Sequence, residues 1–262
     1  MPIEYNASNL KVYVLTVKTF SDRIKHIENE MLKHSINFEF ILDYDIPDLN
    51  DEIINKVFED NSSLSLAQKS LVLKHIAAWR DASKNNAQRI LIFEDDVILH
   101  KEFKRILDTI LNKSIEIQPS NLIFLGGSDA KVPDDYLLSK EILVELPIAT
   151  TEAYITDISA INLRLNWLEN NKVSLPADHF ICKVDKQLNI THFWSRTPIA
   201  EQGSVTGIFD SKLDKHRQKH SMIFNILRYH WNKYQRHTLR KIIAIVKHKI
   251  KTYLDKSNAI IK

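Results

Sequence analysis

The run Arg89-Ile90-Leu91-Ile92-Phe93-Glu94-Asp95-Asp96-Val97 constrains this chain more than any other stretch. Four large apolar residues in succession, two of them β-branched, predict a strand buried on both faces. Three carboxylates follow without a break, and Val97-Ile98-Leu99 is apolar again. A solvated acidic loop is not normally wedged between two such runs. Carboxylates at the end of a buried strand are costly to desolvate unless something compensates them, and a divalent cation is the usual compensator. Open α/β sheets bind ligands at the carboxyl ends of their strands. The acidic tip is therefore a candidate site for a metal ion and a diphosphate. The competing structural reading is a cap and first-turn acids for a helix starting near Glu102.

Composition narrows the classes. At 262 residues, with 44% hydrophobic and 26% charged side chains, the chain has enough apolar material for a full globular core. Four glycines, at 126, 127, 203 and 207, are too few and too scattered for a Gly-rich phosphate loop or a dinucleotide fingerprint. The single cysteine, Cys182, excludes an internal disulfide and a Cys-cluster zinc site, which favours a reducing compartment. The segment Met1-Pro2-Ile3-Glu4-Tyr5-Asn6 lacks the basic-then-apolar order of a signal peptide, and the longest aliphatic run near the C-terminus, Ile242 to Val246, is too short to span a bilayer. A cytoplasmic location is the expectation.

Charge is distributed unevenly. Residues 212–262 carry 14 Lys/Arg against two acids, a surplus of +12, whereas residues 1–211 carry −9. Leu239, Ile242, Ile243, Val246, Ile250, Tyr253 and Leu254 fall at helical spacing, with Arg240, Lys241, Lys247, Lys249 and Lys251 largely off that stripe. This pattern predicts a basic amphipathic helix suited to lying peripherally on an anionic membrane surface. The alternative is an ordinary helix packing its stripe on the body. Nucleic acid is not the expected partner, because no nucleic-acid-binding fold signature accompanies the charge. The boundaries expected are a catalytic domain over 1–211 and a tail over 212–262.

Before that tail, strands and helices alternate. Strands are predicted at 11–17, 38–42, 89–94, 121–125, 143–146 and 153–156. Helices are predicted from Ser21, from a capped start at Ser65, over 102–111 and over 159–168, with a polar stretch at 47–63 read as loop with a short helix. The alternation predicts an α/β fold with a mostly parallel central sheet.

The order of these segments resembles glycosyltransferase family 25, the bacterial lipopolysaccharide and lipooligosaccharide glycosyltransferases. Val12-Tyr13-Val14-Leu15 with Arg23 and His26-Ile27 looks like the family's first strand and arginine-containing helix start. Phe38-Glu39-Phe40-Ile41-Leu42-Asp43 is similar to its second strand and closing aspartate. Ile92-Phe93-Glu94-Asp95-Asp96-Val97 stands intact as the acidic anchor. The family's Gly-Cys-x-x-Ser-His is degraded here to Ser70-Leu71-Val72-Leu73-Lys74-His75, keeping only the histidine. Thr151-Glu152-Ala153-Tyr154-Ile155, Pro176-Ala177-Asp178 and Pro198-Ile199-Ala200-Glu201-Gln202 resemble later motifs, the last two on the acceptor side.

The resemblance implies a GT-A-like domain that moves a hexose with inversion, galactose before glucose, from a UDP-sugar to a lipooligosaccharide acceptor. A diphosphate leaving group needs its developing charge neutralised, and Mn²⁺ or Mg²⁺ with oxygen ligands suits that task. Glu94 and Asp96, two apart on one face, are the expected metal ligands. Asp95 is expected to point elsewhere, toward ribose or sugar hydroxyls. Val17, Arg23, Asp43 and Lys69 join Asp95 as expected donor-binding residues. A base near the acceptor hydroxyl is normally a carboxylate; Asp178, in a loop-like segment, is the first candidate and Glu201 the second. Each of these side chains also has a structural reading, as a cap, a turn or a wet helix face. His75 is expected in the core, Trp167 and Trp194 in the core or on a sugar face, and His192 or His216 as a third metal ligand. The remaining alternatives are a family member that binds donor without transferring it, and a basic-tailed membrane- or nucleic-acid-binding protein whose acidic strand end is structural.

Overall fold

The strands alternate their side chains between two apolar layers. In the computed structural model, which describes residues 10–127, 132–147, 150–206 and 238–260 and a few positions between 209 and 231, β1 (Leu10–Leu15) sends Tyr13 and Leu15 to one layer and Val12 and Val14 to the other. The acid-tipped strand β3 (Arg89–Glu94) does the same with Ile90 and Ile92 against Leu91 and Phe93, all fully buried. Burial on both faces is what the unbroken apolar run predicted.

Helices cover both faces. The first layer holds α3 (Leu66–Lys84), α6 (Ile158–Asn170) and α7 (Ala177–Gln187), through residues such as Val72, Ile76, Ile161 and Phe180. The second holds α1 (Ser21–Lys33) and α4 (Phe103–Ser114), through Ile27, Met31, Phe103 and Ile110. Helix α3 starts where its sequence says it should. The Ser65 hydroxyl accepts from the Gln68 amide, and the Gln68 side chain accepts from the Ser65 amide, which closes a capping box.

The remaining elements complete the sheet. They are β2 (Glu39–Ile41), a 3₁₀ turn at Ile46–Asp48, α2 (Asp51–Val57), β4 (Val97–Leu99), β5 (Asn121–Phe124), α5 (Asp134–Leu138), β6 (Leu143–Glu145), β7 (Ala153–Asp157), β8 (Thr191–Ser195), β9 (Ala200–Gln202), α8 (Gly203–Thr206) and α9 (Arg240–Ile260). The seven-stranded order is β2-β1-β3-β7-β5-β8-β6, with β4 and β9 forming a separate antiparallel pair.

The sheet is mixed, a correction to the expectation of mostly parallel order. β1 runs parallel to β2 and β3, and β5 parallel to β8, but β7 lies antiparallel between β3 and β5, and β6 is antiparallel to β8. Two-sided burial sets the composition of a strand and is silent about its direction. A second correction concerns the segment at Asp178, read as loop-like and found in the first turn of helix α7. The β4 strand also intervenes between the three acids and α4, so they do not cap that helix.

Two polar groups lie deep in this core. His75 is fully buried and its Nδ1 lies 2.9 Å from the Tyr154 hydroxyl, which also accepts from Trp79 Nε1 at 3.2 Å. Burial holds the His75 pKa down at about 3, against an ordinary 6.5. A depressed histidine is stable as the neutral ring, so its contribution is present above 6.5 and is lost as pH falls toward 3. Wild type should therefore lose about 2 kcal/mol more stability between pH 7 and 5 than His75→Gln. Urea midpoints at the two pH values test this, and parallel losses would remove His75 as the cause.

Candidate active site

Parallel register brings the ends of β1 and β3 together. Leu15 pairs with Glu94, so the next residues on each strand, Thr16 and Asp95, are neighbours, and the Thr16 hydroxyl donates to Asp95 Oδ2 at 2.7 Å. Helix α1 follows β1 closely and supplies Arg23, whose Nη1 donates to Asp95 Oδ1 at 2.7 Å. Both oxygens of Asp95 are thus engaged, and the residue is buried. Arg23 reaches Asp96 less closely, at 3.9 Å, and its guanidinium lies beside the rings of Phe20 and Phe209.

Asp96 is held from the other side. After β9 the chain turns into α8, and Gly203 N donates to Asp96 O at 2.7 Å while Ser204 N donates to Asp96 Oδ2 at 3.1 Å. A Cβ on Gly203 would stand 2.5 Å from that carbonyl oxygen, so the close approach requires glycine. Asp96 Oδ1 is buried and has no hydrogen-bond partner among the described residues. Glu94 accepts from Thr151 Oγ1 at 2.7 Å and, at the limit of a hydrogen bond, from Gln202 Nε2 at 3.5 Å. Burial and then the charge of Asp96 push the Glu94 pKa up to about 8. Burial likewise raises Asp96, against the pull of Arg23.

These groups form one wall of a cavity of about 350 Å³. Its opposite side is made by the turn after β2 and the first half of α3, including Ile46, Pro47, Ser70 and Lys74. That side is built by a second buried pair. Lys74 Nζ donates to Asp45 Oδ1 and to the carbonyl of Asp43, both at 2.7 Å, and Ser70 donates to the Tyr44 carbonyl. Burial pulls the Lys74 pKa down, and Asp45 opposes it.

The expected residues separate into three groups. Glu94, Asp95, Asp96, Arg23 and Val17 line the cavity together. Asp43 and Lys69 do not line it: Asp43 is exposed, and the Lys69 ammonium lies over the Phe58 ring. Tyr44 takes a left-handed φ of 66°, and the carboxylate that turns inward past it is Asp45. Asp178 is 42% exposed, accepts from the His179 amide and lies outside the cavity lining. Glu201 is also outside it, although its neighbour Gln202 is inside, as alternation along a strand requires.

Other expectations resolve in the core. His192 is not beside the acids: its Nε2 lies 2.7 Å from Asp185, itself bonded to the buried Arg164. Trp194 is buried against Phe124 and Tyr136, and Trp167 packs on Phe180. His216 lies outside the described residues.

The cavity also contains residues that the sequence did not single out for it: Thr16, Ser70, Lys74, Gln202 and Ser204. Lys74 carried a signal, a lysine inside the apolar run from Leu71 to Ile76. The others are small polar side chains whose role depends on what the fold places opposite them.

The residues fit a divalent cation in one specific way. Among the described residues no cluster of three or more His, Cys, Asp or Glu is placed to hold a metal. Yet three carboxylates line the cavity, and the buried Asp96 has an oxygen without a partner among the described residues. Mg²⁺-type ions are commonly held by one or two carboxylates with substrate phosphates and water completing the shell. The donor set suits a cation that arrives with a diphosphate.

A family model described as glycosyltransferase family 25 (LPS biosynthesis protein) matches residues 9–146. A Haemophilus influenzae protein named as a candidate glycosyltransferase is 38% identical over 101 residues, a match covering 37% of this chain and 36% of that protein. A glycosyltransferase involved in glycosylating the major capsid of PBCV-1 aligns with TM-score 0.40 and 10% identity over 84% of this chain and 99% of its own. Mouse xyloside xylosyltransferase 1 aligns with TM-score 0.40 and 10% identity over 70% and 83%. Likenesses this slight carry no inference. The family match spans more than half of the chain, including β1, β3 and all three site carboxylates, and the chain belongs to glycosyltransferase family 25.

Proposed function

We propose that this protein is a metal-dependent, GT-A-type inverting glycosyltransferase that moves a hexose, galactose before glucose, from a UDP-sugar to a lipopolysaccharide or lipooligosaccharide acceptor. The observation that carries this is the buried Oδ1 of Asp96, without a partner among the described residues, beside Glu94 on the cavity wall. In this reading Glu94 and Asp96 hold Mn²⁺ or Mg²⁺, which when bound neutralises charge on the departing diphosphate. Thr16 and Arg23 fix Asp95, and Val17 and Arg23 border the nucleotide. Asp43 and Lys69, also expected at the donor, are not among the residues that line the cavity. Asp178 and Glu201 remain the two base candidates, although neither lines the cavity: Asp178 lies on the first turn of α7, and strand alternation turns Glu201 away from the side of Gln202.

The test is thermal. UDP with Mn²⁺ at about a hundred times the dissociation constant adds roughly 2.7 kcal/mol, which raises the melting temperature by roughly 5–10 °C for a chain of this size. Neither ligand alone should do so. No shift with both together would return the acidic strand end to a structural role. Glu201→Gln should keep that shift and lose turnover with acceptor, since an amide cannot take a proton. Loss of turnover in Asp178→Asn with an active Glu201→Gln would assign the base to Asp178 instead. A UDP-sugar hydrolysis panel without acceptor identifies the donor.

A further inference from the structure

Helix α9 meets the body through the wrong side for an ordinary amphipathic helix. Its contact is with α5: Ala244 is buried, and Arg240 and Lys247 approach Asp134 at 3.8 and 3.7 Å. Residues 240, 244 and 247 lie along one face. At about 100° per residue, Ile242, Ile243, Val246, Ile250 and Leu254 lie on a different, contiguous face. All five are 44–55% exposed. The apolar stripe is therefore turned away from the domain that it would be expected to pack against.

We propose that this face is the docking surface for a bilayer rich in acidic phospholipid headgroups, with α9 lying in the plane of the interface. Charge selects the occupant. The described side chains of α9 include Arg240, Lys241, Lys247, Lys249 and Lys251 and no acid. A second copy of the same helix would set like charges against each other across the stripe, which is unfavourable. A nucleic acid would neutralise the lysines and leave the stripe in water. An anionic bilayer satisfies both, taking the apolar face below the headgroups and the lysines among them. No described helix is long and apolar enough to cross a membrane, so the helix lies on the surface. The surface is independent of the acidic site and needs neither donor nor cation. It would hold the enzyme where a lipid-anchored acceptor is concentrated.

The experiment is co-sedimentation of the full chain with vesicles of phosphatidylglycerol and phosphatidylethanolamine, against phosphatidylcholine vesicles, at two salt concentrations. Binding to the anionic vesicles, weaker at high salt and at least tenfold weaker on phosphatidylcholine, is expected. Val246→Glu/Ile250→Glu should reduce anionic binding at least tenfold with an unchanged melting temperature. Lys241→Glu/Lys249→Glu, which leaves the stripe and the Asp134 contacts intact, should do the same and covers the case in which the first variant misfolds. Vesicle binding that survives both variants overturns the proposal. So does an absence of binding by wild type. A concentration-dependent dimer that Val246→Glu/Ile250→Glu abolishes would give the face to a second copy, and retention on RNA in place of vesicles would give it to nucleic acid.

Discussion

Asp96→Ala should reduce transfer at least a hundredfold while leaving the melting temperature of the metal-free protein unchanged or slightly higher. The two effects have separate causes. The rate falls because one of the two proposed metal ligands is gone and the diphosphate loses the charge held against it; a hundredfold is about 2.7 kcal/mol in the barrier. Stability does not fall because Asp96 is a strained resident. Its burial and the nearby charge of Asp95 raise its pKa, it in turn raises that of Glu94, and one of its oxygens has no partner among the described residues. Against that relief stands the bond from Ser204 N, worth about 1 kcal/mol. Activity with Mn²⁺ and the apo melting curve are the measurements. Retention of more than about a tenth of the rate, 1.4 kcal/mol, would remove Asp96 as a metal ligand.

Asp185→Ala should have the opposite profile, a large loss of stability. Arg164 is fully buried and its guanidinium donates to both Asp185 oxygens, at 2.7 and 2.6 Å, and to Thr156 at 2.9 Å. His192 shares the same carboxylate. Removing Asp185 leaves a buried cation without its counter-charge, which costs about 3–5 kcal/mol. For a chain of this size that is a fall of roughly 10 °C in melting temperature. Arg164→Met/Asp185→Leu removes both charges and should recover most of the loss. If the double variant melts no higher than the single one, the pair is contributing more than mutual neutralisation.

Much of the local architecture was legible because periodicity reports burial. The run from Ile90 to Phe93 showed a strand with two apolar sides, and the three acids after it marked the edge of a cavity before any fold was known. Ser65 and Gln68 announced the start of α3 through hydrogen bonds only three residues apart. The apolar stripe near the C-terminus, flanked by basic residues, likewise predicted helix α9.

What escaped the sequence was set by partners far away along the chain. The direction of β7 is invisible in its own residues, since an inward-facing valine or isoleucine suits either orientation. Asp43 and Asp45 are the same residue type two positions apart, and a left-handed Tyr44 together with Lys74 on another helix decides which one is buried. Thr16 and Ser204 belong to the site because Asp95 and Asp96 lie 79 and 108 residues from them in sequence and within hydrogen-bond distance in space. The sequence alone determined which residues are costly to bury and where elements such as β3, α1 and α3 begin. Only the tertiary structure decided which buried charges meet a partner and which, like Asp96 Oδ1, are left open to a ligand, because pairing depends on contacts between strands and helices that no local pattern encodes.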